Sequence, residues 1–190
     1  MNTAPNAVYT GWPGRGCWQA RGFTLVELMV TLLVLAILLG LAVPSFRDAS
    51  LSSRLTGYAN DLVAGVQIAR SEAIKRNATV TLCASEDGAT CAEDVGWEVG
   101  WIILAPRPSA IGTVDVVERH APLTDEFIIA EASGITEITF PSTVVGVAPM
   151  PITFTVCRES PVGKQEREVT VTASGATRVR PTENGECPPS

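Results

Sequence analysis

From Phe23 to Val43 the chain reads FTLVELMVTLLVLAILLGLAV, 21 residues in which Glu27 is the only ionisable side chain. Coiled as an α-helix at about 1.5 Å per residue, this run covers roughly 30 Å, the thickness of a bilayer's hydrocarbon core. It has no polar face to turn toward water, and a chain of 190 residues offers no core large enough to surround it. A secretory signal peptide would place a small-residue cleavage site after a shorter apolar stretch. Here the small residue, Gly22, comes first, and no A-x-A-like site follows Val43. Arg15 and Arg21 precede the run, whereas Arg47 after it is offset by Asp48. The positive-inside bias therefore leaves the N-terminus in the cytoplasm and exports the rest, in a single pass.

The apolar run inflates the 46% hydrophobic content, and what remains is rich in Val, Thr, Gly and Pro, which favours a β-rich domain. The net charge of −6 is unevenly placed: residues 86–150 hold eleven Asp and Glu against two Arg. No basic stretch of the kind that grips nucleic acid through its phosphates is present.

Beyond Pro44, which is expected to bend the helix, Leu51, Leu55, Tyr58, Leu62, Val66, Ala69 and Ala73 recur at spacings of three and four. Arg54, Asp61, Arg70 and Lys75 fall between them, so one amphipathic stripe extends the helix to about Asn77, where Lys75 and Arg76 suit a C-terminus. A coiled coil is the competing reading, but the stripe is short and strand-like sequence follows it. From Thr79 the segments VTLC, GWIIL, TVDVVER, EFIIAE, TEITF, ITFTVC and EVTVT alternate or run apolar between Gly, Pro, Asp and Ser, as antiparallel strands do. APRPSAIG, residues 105–112, is expected to be a long loop within one domain. The fold class is α+β: a long N-terminal helix, its first half membrane-spanning, packed on an antiparallel β-sheet domain.

Arg21-Gly22-Phe23-Thr24-Leu25-Val26-Glu27-Leu28 resembles the type IV prepilin cleavage motif. The resemblance implies that an inner-membrane prepilin peptidase and methyltransferase cuts between Gly22 and Phe23 and methylates the new amine of Phe23. Glycine presents a bare backbone at the scissile bond, and a cut on the cytoplasmic side leaves the helix on the mature protein. Four segments follow: a cleaved leader at 1–22, a transmembrane and assembly half-helix at 23–43, an amphipathic half-helix at 44–77, and a periplasmic β-rich domain at 78–190. A carboxylate inside a bilayer costs on the order of 2.5–3.5 kcal/mol on insertion scales, so such a residue is usually functional. One account of Glu27 is a helix N-terminus reaching interfacial water. The other, implied by the resemblance, is that it attracts the terminal amine of a neighbouring subunit and provides register. Glu27 and Pro44 are thus filament-assembly residues.

Cys17 lies in the leader, which leaves Cys83, Cys91, Cys157 and Cys187 in an oxidising compartment, enough for two disulfides. Of three pairings, Cys83 with Cys91 is favoured by the hairpin-like SEDGAT between them, and Cys157 with Cys187 then ties down the C-terminal tail. Zinc is the weaker reading, since the spacings match no compact clamp and the chain has one histidine.

ARSEAIKRN, residues 69–77, followed by VTLCASEDGATC and GWEVGWIIL, is similar to the GspH/FimT family of minor pilins and pseudopilins, over residues 22 to 104. The Cys-bounded DG hairpin and the tryptophans Trp97 and Trp101 resemble its FimT and FimU branch. A minor pilin of a type IV filament, in the priming or tip complex, is what the resemblance implies, with other pilins as partners through the N-terminal helix. A type II secretion pseudopilin H and a DNA-binding minor pilin are the alternatives. Some relatives that take up DNA carry a C-terminal G-R-x-R, in which two arginines contact adjacent phosphates. This chain has Arg178 and Arg180 in SGATRVRP, with Thr177 in place of the glycine and acidic Glu183 and Glu186 nearby, so DNA is the weaker expectation. Trp97 and Trp101, four apart in a strand, are expected to face one way as an aromatic pair between sheet and helix. His120 is expected at a surface or strand end, with no Ser-His-Asp or Cys-His arrangement around it. No enzyme activity and no cofactor are expected.

Overall fold

The computed structural model describes residues 22–110, 112–124, 126–143, 151–158, 165–183 and 187. Arg15, Cys17, Arg21 and the rest of the leader lie outside the described residues. Two compact units part between Pro44 and Ser45. In the first, the helix α1 begins; the element as a whole is Leu25–Arg76, and every described side chain from Phe23 to Val43 is exposed. It is the one helix among the described residues long and apolar enough to cross a membrane. The helical assignment runs through Pro44, whose side chain lies outside the described residues.

In the second unit α1 becomes amphipathic. Leu55, Ala59, Leu62, Val66, Ala69 and Ala73 are fully buried, at the three-and-four spacing that keeps one face against a core. Leu51 and Tyr58, at the stripe's margin, are half-buried. The helix ends in paired 6→1 and 5→2 hydrogen bonds, Ala78 N to Ala73 O at 3.2 Å and Asn77 N to Ile74 O at 3.3 Å. Asn77 takes φ +49° to make them, a conformation its short polar side chain tolerates. Glu72 binds Lys75 and Arg76 in that last turn at 2.8 and 2.9 Å, which lowers its pKa.

Among the described residues the strands form two antiparallel four-stranded sheets, the antiparallel β domain expected. They are β1 Val80–Ala84, β2 Trp101–Pro106, β3 Val114–His120, β4 Phe127–Glu131, β5 Glu137–Phe140, β6 Ile152–Arg158, β7 Glu166–Val171 and β8 Thr177–Thr182. The first sheet has the order β3-β2-β1-β5 and the second β4-β6-β7-β8. TEITF crosses back to pair with β1, Leu82 opposite Ile138, instead of lying beside β4. One continuous core joins the stripe of α1 to Val80, Leu82, Ile103 and Phe140 of the first sheet and to Ile129, Phe154, Val156 and Val169 of the second. Arg167 of β7 reaches α1, its Nη2 donating to Ser52 Oγ at 2.7 Å and its Nε to Thr56 Oγ1 at 3.1 Å. APRPSAIG is not an extended loop: β2 runs on to Pro106, and Arg107 N donates to Thr113 O at 2.9 Å across a hairpin end.

Candidate functional site

The start of α1 is built as a capped terminus. Thr24 precedes the first helical residue; its Oγ1 accepts from Glu27 N at 3.2 Å and its carbonyl from Leu28 N at 3.1 Å. Thr24-x-x-Glu27 thus has the spacing of a capping box, with Glu27 in the first turn, where the helix dipole favours a negative charge. Gly22 and Phe23 lie just outside the helix, both exposed, so the Gly22–Phe23 bond precedes regular structure by two residues. The capping role of Thr24 escaped the sequence reading, although T-x-x-E before an apolar run is a recognised signature.

Cys83 is bonded to Cys91 and Cys157 to Cys187, with Cα atoms 5.5 and 5.7 Å apart. Between the first two, Asp87 organises the loop. Its Oδ1 accepts from Thr90 N at 2.8 Å and Ala89 N at 2.7 Å, and its Oδ2 from Thr90 Oγ1 at 2.9 Å. These donors, the Thr90 amide first, hold the Asp87 carboxyl well below the usual carboxylate range.

Trp97 and Trp101 do not form the strand pair expected of them. Trp97 sits in a 3-10 turn, Trp97–Val99, its ring edge-on to Phe154 at 5.2 Å and its Nε1 donating to Ile135 O at 2.7 Å. Gly100 separates the two with φ +101°, and a Cβ there would lie 2.6 Å from His120 O. Trp101 opens β2 and stacks on His120 at 3.8 Å between ring centroids. Both tryptophans are buried, so core packing is their role, each with its own partner. His120 is the last residue of β3, its Nε2 3.4 Å from Asp61 Oδ2 on α1.

Arg178 and Arg180 are exposed and are the second and fourth residues of β8, two apart and so on one face. β8 is an edge strand; Arg180 stands opposite Glu168 and Arg178 opposite Thr170. Gly175 belongs to the turn before it at φ +74°, while Thr177 accepts from Gln67 Nε2 of α1 at 3.2 Å. The structure brings together the residues of each disulfide and the arginine pair.

Residues 58–175 match the family described as Type II transport protein GspH, and residues 19–43 match the prokaryotic N-terminal methylation motif. The family segment thus extends well past residue 104. The chain is 30% identical over 96 residues to the type IV major alpha-pilin of Moraxella bovis, covering 50% of this chain and 58% of that one. It is 41% identical over 58 residues to the type II secretion system protein H of Pseudomonas aeruginosa, covering 30% of this chain and 34% of that one. The chain therefore spans less than two thirds of the length of either relative. The crystal structure of the P. aeruginosa type IV minor pilin FimU superposes with a TM-score of 0.53 at 22% identity, over 68% of this chain and 90% of that one, a likeness of fold. Because the match at residues 58–175 spans more than half of it, the chain belongs to the GspH family.

Proposed function

We propose that this protein is a minor pilin or pseudopilin, a membrane-anchored structural subunit processed between Gly22 and Phe23 and assembled with other pilins into a type IV-type filament. The observation that carries the reading is the capped helix start at Thr24 and Glu27, immediately after Gly22–Phe23 and leading into a wholly exposed apolar run. An exposed helix of that composition requires a lipid or a bundle of like helices around it. In this reading residues 1–22 are the leader, Phe23 carries the methylated amine, and Glu27 supplies the charge that pairs with a neighbouring subunit. Arg15 and Arg21 keep the N-terminus cytoplasmic, and the two-sheet domain is periplasmic, where its disulfides form. Pro44 lies where the anchoring half-helix gives way to the docked half.

The 41% identity to a type II secretion protein H favours a secretion pseudopilin as the second reading. Shearing filaments from cells and probing them for this subunit tests the proposal: it should be in the filament fraction, and a Gly22→Leu variant should stay in the membrane. Equal recovery of both in the filament fraction would contradict it. Loss of secreted enzymes on deletion, with pili intact, would select the secretion reading.

A further inference from the structure

The domain's first turns of helix carry a basic groove that the filament reading does not use. Phe46, Arg47, Ser50, Leu51 and Arg54 of α1, with Glu126, Phe127 and Arg158 of the second sheet's side, line an open groove of about 250 Å³. Arg47, Ser50, Leu51 and Arg54 share one helix face by their spacing. Arg47 and Arg54 have no hydrogen-bond or ion-pair partner among the described residues, whereas Arg158 is engaged by a partner of its own, and Glu126 is the one carboxylate among the described lining residues. Phe46 at its edge is 76% exposed, a large apolar side chain with nothing covering it.

Chain connectivity narrows the occupant. Phe46 lies three residue steps beyond Val43, the end of the apolar run, and three steps span at most roughly 11 Å in any conformation. The headgroup layer on each side of a bilayer is roughly 5–7 Å thick. On the reading that residues 23–43 span the membrane, Phe46 and Arg47 therefore lie in or beside that layer. An apolar ring flanked by the guanidiniums of Arg47 and Arg54 matches a lipid's two parts, since Phe partitions among acyl chains while arginine takes a phosphate bidentately. We propose that this groove binds the phosphate headgroup of an anionic phospholipid in the outer leaflet of the inner membrane, holding the domain at the surface before extraction into a filament.

The test uses the full mature chain in neutral detergent, with native mass spectrometry counting retained phosphatidylglycerol against phosphatidylcholine. The wild type should retain phosphatidylglycerol on the order of tenfold more than phosphatidylcholine, and Arg47→Gln/Arg54→Gln should erase that preference. A control Arg178→Gln/Arg180→Gln pair should keep it. Glycerol phosphate added in excess should compete weakly, because Phe46 binds only the acylated source; full competition would mean a free-phosphate site and overturn the lipid assignment. Equal retention of both lipids by the wild type, or an unchanged preference in Arg47→Gln/Arg54→Gln, also overturns it. So does a double variant that keeps its lipids yet no longer co-purifies with other filament subunits, which would make the groove a subunit interface. All variants should fractionate with membranes through residues 23–43, so failure of the lipid proposal leaves the anchoring reading separately measurable.

Discussion

Thr24 caps the helix that Glu27 enters: the hydroxyl of the first accepts the backbone amide of the second at 3.2 Å. The bond assigns the two residues different work. Thr24 ends the helix in a defined place, whereas the carboxylate of Glu27 has no partner among the described residues. Thr24→Ala should fray the first turn, at a cost of about 1 kcal/mol, visible as faster amide exchange at Glu27 and Leu28 in detergent. Glu27→Val should insert and be processed normally, since it makes the run more apolar, but should fall severalfold in filament incorporation. Normal incorporation would remove the assembly role from that side chain.

Helix α1 lies close against β2 at Gly65, where an added Cβ would sit 3.0 Å from Trp101 Nε1. Gly65→Leu should therefore push the helix off the indole and destabilise the domain by about 1–3 kcal/mol. Gly57 on the same helix meets nothing within 4 Å, so Gly57→Ala should stabilise by about 0.5–1 kcal/mol through helix propensity. Thermal melts of the two variants should move in opposite directions.

Acid should loosen the Cys83–Cys91 loop before the core. The Asp87 carboxyl is depressed in the folded state from an ordinary value of 3.8, so its contribution is complete above that pH and is lost as pH falls below it toward the folded value. Amide exchange at Ala89 and Thr90, corrected for its intrinsic pH dependence, should accelerate in that window. Asp87→Ala should show fast exchange at neutral pH and no further acid step.

Arg178 and Arg180 provide the discriminating test for nucleic acid. With Glu168 across from Arg180 and an acidic stretch from 86 to 150, little or no duplex binding is expected at physiological salt. Salt-sensitive binding that the double alanine variant abolishes, with a slope reduced by about two phosphate contacts, would move the DNA-uptake reading to first place.

The apolar run, the buried stripe from Leu55 to Ala73 and seven of the strands were legible because each writes its environment into a local period. What local periods do not carry is which strands pair, and TEITF could not reveal from its own four apolar and polar alternations that it would join β1 across the intervening β4. β8 escaped because an edge strand with two exposed arginines and Pro181 lacks the buried face that gives a strand its signal. Trp97 was misplaced into a strand because Gly96 and Gly100, which release the chain into a 3-10 turn, look like ordinary strand boundaries. In the candidate site, Gly22, Phe23 and Glu27 are proposed from their motif, whereas the basic groove joins residues 46–54 to 126–127 and 158, a separation no motif spans.

The mass of the N-terminal peptide from membrane-extracted protein tests the central claim most directly. The account predicts a chain that begins at Phe23 with a methylated amine, with Cys17 absent and Glu27 present. A chain that begins after Val43, or one that retains Gly22 in the membrane fraction, would contradict it.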